Sequence, residues 1–178
     1  MTLHIIRNPE HGCENNPNVS PAFFMGPAGI YTLGAIIYMH IDGPDRVNVR
    51  KYIAKVLAME NLYKEDSHLD LEDEILYGNA GYLYCLLLLK DKLGLGGMTG
   101  FTEDFNRVLH KVVEAIMIEG VDEKRDYLEF YFPRKKKTPY LGAAHGTIGI
   151  TYMLIKALQI SPELQKDCDF VALLLNTV

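Results

Sequence analysis

Cysteine is scarce in this sequence, and the three cysteines, Cys13, Cys85 and Cys168, lie far apart without a Cys-x-x-Cys pair. An odd number of widely spaced cysteines predicts free thiols in a reducing compartment rather than a disulfide framework. The chain also lacks a basic excess, since 18 Lys and Arg residues stand against 23 Asp and Glu residues. A nucleic-acid-binding surface normally needs such an excess, so the composition argues against that class of function.

Charged residues are absent from residues 21–41, and the N-terminus has no long apolar stretch of the kind found in secretory signals. A membrane helix needs about 20 predominantly apolar residues. Prolines and glycines interrupt this segment and leave an apolar helical stretch of only about 12 residues after Gly29, too short for a span. With 48% hydrophobic and 23% charged residues, the sequence predicts one globular domain with a buried helix here and no transmembrane helix.

A short glycine pattern occurs three times along the chain. Each copy has the form Gly-x-x-Gly followed by a largely apolar run, and the paired glycines are Gly26 and Gly29, Gly78 and Gly81, and Gly146 and Gly149. Irregular spacing between such copies is typical of helical-hairpin repeats with insertions. Because glycine permits close backbone approach, we expect these six residues to line a central cavity at the helix starts. The first N–H groups of these helices would then be free and directed into the cavity.

The segments between the glycine copies have apolar residues at amphipathic helical spacing. The clearest face consists of Phe105, Val108, Leu109, Val112 and Ile116; a second consists of Val49, Ile53, Val56 and Leu57; a third consists of Leu164, Cys168, Val171 and Leu175. Ser161 is a predicted N-cap for the last helix. Amphipathic helices thus alternate with helices that are apolar nearly all round. This alternation predicts an all-α fold, an α/α toroid or barrel of helical hairpins with an outer and an inner layer.

We expect one partial domain over residues 1–178, with a poorly defined lead-in over residues 1–22. Residues 119–139 are polar and are predicted to form an exposed insertion. This insertion contains the basic run Arg134-Lys135-Lys136-Lys137. The run could steer an anionic ligand or contact a membrane surface, although four charges on a loop are more often simply solvated.

Three stretches carry a resemblance to a known family: residues 24–30 (Phe-Met-Gly-Pro-Ala-Gly-Ile), residues 74–82 (Glu-Ile-Leu-Tyr-Gly-Asn-Ala-Gly-Tyr) and residues 142–150 (Gly-Ala-Ala-His-Gly-Thr-Ile-Gly-Ile). In this order they resemble successive inner-helix motifs of eukaryotic lanthionine synthetase C-like (LanC-like) proteins. The resemblance runs from about Phe23 to the end of the chain. It implies a toroid of seven helical hairpins, of which about three are recognisable in this incomplete version.

The resemblance implies zinc-dependent thiol chemistry. Bacterial members activate a cysteine thiol on zinc and add it to a dehydrated serine or threonine. Eukaryotic members bind glutathione and are implicated in adding its thiol to dehydroamino acids in proteins. Zinc would hold the thiol as the nucleophilic thiolate, and a nearby acid or base would handle the proton at the α-carbon. The resemblance also implies a cytoplasmic protein, and it leaves open a peripheral contact with the plasma membrane.

Glu74 and His145 are the catalytic candidates that the resemblance marks. His145 matches the histidine of the family's Ala-His-Gly motif, which faces the cavity near the metal. Glu74 stands where bacterial members have an aspartate that faces the active site. Each residue has a plainer interpretation: His145 could simply hydrogen-bond a neighbouring turn, and Glu74 belongs to an acidic run that could be a solvated face.

We expect zinc for a full-length family member and no zinc bound by this chain alone. The family's zinc ligands are a cysteine and a Cys-His pair on later repeats, whereas this sequence has no Cys-His dipeptide and its cysteines lie outside the motifs. The sequence therefore predicts a chain without the zinc-binding half, inactive by itself. Two alternatives stay open: a non-catalytic fragment or interaction module, and another α/α barrel such as a carbohydrate-processing enzyme, which would need paired carboxylates.

Overall fold

The computed structural model describes residues 20–41, 47–63, 71–97 and 100–178, and within these ranges the fold is helical. The helices are α1 (Pro27–Ile41), α2 (Val47–Leu57, continued by a 3-10 turn over Ala58–Tyr63), α3 (Asn79–Gly97), α4 (Thr102–Gly120), α5 (Thr147–Ile160), α6 (Pro162–Lys166) and α7 (Cys168–Thr177). The prediction of an all-α fold is confirmed. Cys13 and most of the predicted lead-in over residues 1–22 lie outside the described residues.

Two kinds of helix alternate along the chain, as the patterns predicted. The helices that follow the glycine copies, α1, α3 and α5, pack in series, with α3 between the other two. The amphipathic helices α2 and α4 pack on this row from one side. The predicted apolar faces of α2 and α4 are buried, and each large apolar side chain so buried contributes about 1.5–3 kcal/mol to the stability of the fold.

The third predicted apolar face is wrong. Leu164 is only partly buried, Cys168 and Leu175 are exposed, and Phe170 and Leu174 face the core instead. The reason is a helix break at Asp167, whose side chain accepts a hydrogen bond from the Phe170 amide at 3.0 Å and starts α7. The predicted N-cap is confirmed, since the Ser161 hydroxyl accepts from the Leu164 amide, but that helix is the short α6.

The loops before α1, α3 and α5 share one backbone conformation. In each loop the amide of the first glycine donates to the carbonyl four positions earlier, namely Gly26 to Ala22 at 3.0 Å, Gly78 to Glu74 at 3.1 Å and Gly146 to Gly142 at 2.9 Å. In the second and third copies the next amide donates to a carbonyl of the folded-back loop, Asn79 to Glu72 at 2.8 Å and Thr147 to Tyr140 at 2.9 Å. The prediction of free N–H groups directed into a cavity is therefore wrong for these two helices, because each loop caps its own helix.

The close approach of each loop explains why the six positions are glycine. A Cβ atom at each would lie between 1.9 and 2.4 Å from the backbone carbonyl oxygen six positions earlier, a distance that real Cβ atoms do not reach. The second glycine of a copy also faces the neighbouring repeat: a Cβ at Gly81 would lie 2.9 Å from Cβ of Ala22, and one at Gly149 would lie 3.0 Å from Cδ1 of Ile75. The glycines thus fix each loop to its helix and each repeat to the next. That they line a cavity stays a prediction.

A buried polar chain joins the outer layer to the second helix start. The Tyr63 hydroxyl donates to Oδ1 of Asn79 at 2.7 Å, and Nδ2 of Asn79 donates to Oδ1 of Asp73 at 2.8 Å. Asp73 and Asn79 are both buried. Burial raises the pKa of the Tyr63 phenol, so this hydroxyl keeps its hydrogen and remains a donor at physiological pH.

Asn79→Ala should lower the free energy of unfolding by about 2–3 kcal/mol, because it leaves the Tyr63 hydroxyl without its acceptor and removes a donor from the buried Asp73 carboxylate. Urea unfolding of the purified chain measures the change. The matched control is Asn176→Ala, since the Asn176 side chain donates to the Asp126 carbonyl at an exposed position; we expect a change within about 0.5 kcal/mol. Equal losses for the two variants would contradict a role for the buried chain.

Residues 119–139 are anchored more firmly than an exposed insertion would be. Leu128 and Phe130 are buried, and the Phe130 ring packs against Gly120 at the end of α4. The Leu128 amide donates to the Thr177 hydroxyl on α7 at 2.8 Å. Near the end of the segment, the lysine side chains of residues 135–137 are exposed. The segment is therefore a polar excursion with an apolar anchor in its centre.

The cysteines in the described part of the chain, Cys85 and Cys168, are both free thiols, as the sequence predicted. Cys85 is fully buried in the core, and burial raises the pKa of its thiol to about 12. Cys168 lies exposed at the start of α7. No helix in the described ranges combines the length and the apolar character that crossing a membrane would require.

Candidate functional site

The loops before α3 and α5 meet at one edge of the inner row, and their contact brings Glu74 and His145 together. The Ile75 amide donates to the Ala144 carbonyl at 3.1 Å. Beside this backbone contact, Nδ1 of His145 lies 2.6 Å from Oε2 of Glu74. The two residues that the sequence marked as candidates are therefore in direct contact, although α3, α4 and most of the 119–139 segment separate them along the chain.

Glu74 is buried, with only 1% of its surface exposed, so its interpretation as part of a solvated acidic face is wrong. Its carboxylate accepts hydrogen bonds from the amides of Leu76, at 3.0 Å, and Tyr77. A buried carboxylate needs such donors, because burying a charge without them is costly. Glu74 therefore stabilises its own loop through the hydrogen bonds from Leu76 and Tyr77, and it also binds His145.

The hydrogen bond to Glu74 assigns the hydrogen of the imidazole. Two backbone N–H groups already donate hydrogen bonds to the Glu74 carboxylate, so the carboxylate acts as an acceptor. It therefore accepts a third hydrogen bond from the Nδ1–H group of His145. In the neutral imidazole, Nε2 then carries the lone pair. The side chain is 31% exposed, and within the described part of the chain no hydrogen bond involves Nε2. A carboxylate-oriented histidine of this kind can take a proton from a ligand and return it.

Three aromatic rings surround the imidazole. The Phe132 ring is stacked on it, with centroids 4.2 Å apart and an interplanar angle of 6°. Tyr77 is also parallel to the imidazole, at 6.3 Å and 7°, whereas Tyr140 presents its edge at 6.3 Å and 61°. Both tyrosines are partly exposed. The imidazole is thus held by a hydrogen bond at Nδ1 and by a ring on one face, in a site with aromatic walls.

Sequence reasoning missed Tyr77 and Phe132 as members of the site. Tyr77 directly precedes the first glycine of its copy, the position that His145 occupies in the third copy and Met25 in the first. Because the loops share one conformation, an alignment of the copies could have placed Tyr77 beside His145. Phe132 gives no such signal, since it lies in the non-repeating segment 119–139.

The described residues do not fit a zinc site. No group of three or more His, Cys, Asp or Glu side chains in those ranges is placed to hold a metal ion. Zinc binds the cysteine thiolate, whereas the raised pKa keeps the buried Cys85 thiol protonated. Glu74 and His145 bond to each other.

Comparison with known proteins gives two findings. The sequence model of the family described as lanthionine synthetase C-like protein matches residues 3–174. Among curated proteins, the LanC-like protein GCL1 of Arabidopsis thaliana is 29% identical over 152 residues, which are 82% of this chain and 33% of that relative. The chain thus spans about a third of the length of this relative.

Proposed function

Because this chain belongs to the lanthionine synthetase C-like family, we propose that it supplies the proton-handling residues of a site where a thiol adds to an electrophilic double bond. Glutathione or another thiol is the proposed nucleophile, and a dehydroamino acid is the proposed electrophile. The observation that supports this most directly is the 2.6 Å contact between the buried Glu74 carboxylate and Nδ1 of His145.

The proposed addition moves one proton twice. Nε2 of His145 takes the proton from the thiol, and the electron pair left on sulfur forms a bond to the β-carbon of the dehydroamino acid. The π electrons of the carbon–carbon double bond move to the α-carbon, which receives the proton back from Nε2. The product is a thioether and the imidazole is neutral again. Glu74 stabilises the imidazolium between the two transfers, and such acid–base catalysis contributes typically about 10²–10⁴-fold.

We place the zinc ligands of a full-length family member outside the described residues, because those residues do not fit a metal site. Zinc in such a member would supply the thiol in its deprotonated form. Without zinc, the chain would still accelerate the addition through acid–base catalysis by Glu74 and His145, more slowly than a zinc-containing family member. This proposal differs from the sequence-based expectation that the chain is inactive by itself. Its free thiols, Cys85 and Cys168 among the described residues, favour a reducing, cytoplasmic location. A peripheral contact with an anionic membrane would use the exposed lysines of residues 119–139.

The test follows adduct formation between glutathione and a dehydroalanine peptide by mass spectrometry, with and without the purified chain. We expect faster adduct formation with the chain than in buffer. We also expect glutathione to shift the backbone amide signals of residues 144–147 in the NMR spectrum of the labelled chain. The proposal would be contradicted if the chain neither accelerated the addition nor showed these shifts.

A second candidate, a non-catalytic interaction module, is favoured by apolar side chains at both ends of the inner row. Ile148 is 62% exposed on α5, where Tyr152 one turn later is also exposed. Ile41 is 61% exposed at the end of α1, and Leu33 on the same helix is exposed as well. A closed ring of hairpins would give each of these helices a further neighbour. Contiguous exposed apolar surface usually marks an association site.

We therefore expect the isolated chain to bind an apolar-surface dye such as anilinonaphthalene sulfonate strongly. Ile148→Lys combined with Tyr152→Lys should reduce the dye fluorescence severalfold, because the double variant removes the exposed apolar face of α5. Lys51→Ala is the control, since Lys51 is an exposed residue of α2. Weak dye binding by the unmodified chain would count against the interaction module.

The third possibility, a carbohydrate-processing α/α barrel, has no supporting geometry among the described residues. Such enzymes place two carboxylates across a cavity, about 5–10 Å apart. Glu74 faces an imidazole instead, and the neighbouring buried carboxylate of Asp73 is bonded to Asn79.

A further inference from the structure

We infer that Phe132 is a positioning residue for His145, and that residues 119–139 are the element that delivers it to the site. This inference rests on the proposed function, because it assigns what orients the imidazole that moves the proton. It gives the segment between α4 and α5 a role that its polar sequence does not suggest.

The first argument is the geometry of the two rings. A hydrogen bond at Nδ1 fixes one atom of the imidazole, but the torsion that turns a histidine ring is broad and does not by itself fix the plane. The Phe132 ring lies parallel to the imidazole at 4.2 Å, closer than either tyrosine. The hydrogen bond and the stacked ring together hold Nε2 in one direction.

The second argument is the way in which the segment is held. The Phe132 amide donates to the Thr138 carbonyl at 2.9 Å, and Tyr131 forms a backbone bridge with Pro139. Just before it, the Glu129 amide donates to the Gly120 carbonyl at 2.9 Å, and Phe130 is buried. The backbone around Phe132 is therefore tied to the end of α4 on one side and to the strand-like return before α5 on the other.

A merely structural role for Phe132 would predict a different set of effects. If the ring only covered apolar surface, its removal would lower stability and leave the imidazole as it is. If the ring positions His145, its removal releases the imidazole plane while Glu74 stays in place, because the backbone donors to Glu74 are in its own loop.

NMR of the chain with labelled histidine separates these roles without an activity assay. In the unmodified chain we expect one imidazole tautomer for His145, with a slowly exchanging Nδ1–H signal. Phe132→Leu should broaden or abolish that signal, whereas Phe132→Trp should keep it. Tyr127→Leu is the matched control, because Tyr127 is an aromatic residue of the same segment that contacts Arg125 instead. An unchanged signal in Phe132→Leu would overturn the inference, and Phe132→Met repeats the test if the leucine variant does not fold.

The thiol-addition assay gives the second measurement. Phe132→Leu should lower kcat about tenfold or more with KM nearly unchanged, since small misplacements of a catalytic group cost up to about 10²-fold, and Phe132→Trp should restore the rate. Equal rates for Phe132→Leu and Tyr127→Leu would overturn the positioning role. If the unmodified chain adds no thiol, the proposed function fails, while the His145 signal still decides whether Phe132 positions the ring.

Discussion

Gly149→Ala should strongly destabilise this chain, whereas Gly142→Ala in the same loop should leave its stability nearly unchanged. A Cβ at Gly149 would lie 1.9 Å from the carbonyl oxygen of Ala143 and 3.0 Å from Cδ1 of Ile75. The first clash is with backbone, so no side-chain rotation relieves it. We expect a loss of about 3 kcal/mol or more, at or above the usual range for overpacking. A Cβ at Gly142 would meet nothing within 4 Å.

Urea unfolding followed by circular dichroism measures both variants. Gly142→Ala should change the free energy of unfolding by no more than about 1 kcal/mol, and in the stabilising direction, because alanine restricts the unfolded chain. Gly29→Ala and Gly81→Ala should behave like Gly149→Ala, since each would place a Cβ about 2 Å from a carbonyl oxygen. Similar stabilities for Gly149→Ala and Gly142→Ala would show that the folded-back carbonyl does not require glycine.

The fold class was predictable because two patterns in the sequence have direct physical causes. Apolar residues at helical spacing must face a core, and the faces of α2 and α4 do so. The paired glycines recur because one loop conformation recurs, and that conformation leaves no space for a Cβ. The prediction of the last apolar face was wrong because the spacing of apolar residues does not reveal a helix break. Asp167 caps a new helix, and in that helix Phe170 rather than Cys168 faces the core.

The sequence predicted two members of the site, Glu74 and His145, but it did not predict that they contact each other. Motif resemblance marked Glu74 and His145, but their contact depends on how two loops on neighbouring helices lie against each other. The free helix N-termini were wrongly predicted for a related reason, since a sequence pattern does not show that a loop folds back and supplies its own acceptors. The sequence did not indicate Phe132, because its stacking on His145 is a tertiary contact. The segment that contains Phe132 has neither a repeat nor a periodic spacing of apolar residues.

Glu74→Gln should lower the rate of thiol addition by about 10²–10⁴-fold, the range that acid–base catalysis supplies. Glutamine has nearly the same shape, but its amide can donate to Nδ1 of His145 and so favour the tautomer with the hydrogen on Nε2. That tautomer cannot take a proton from a thiol, and a neutral amide stabilises the imidazolium less than a carboxylate does.

The measurement is the initial rate of the glutathione–dehydroalanine adduct, with circular dichroism to establish that each variant is folded. Glu103→Gln is the matched control, since Glu103 is an exposed carboxylate in the first turn of α4, and its rate should stay within about twofold. His145→Asn should lose as much rate as Glu74→Gln, and the double variant should lose hardly more, because two residues that act as one unit are not additive. A folded Glu74→Gln variant with the unmodified rate would mean that the buried carboxylate only closes its loop and that the proton moves elsewhere.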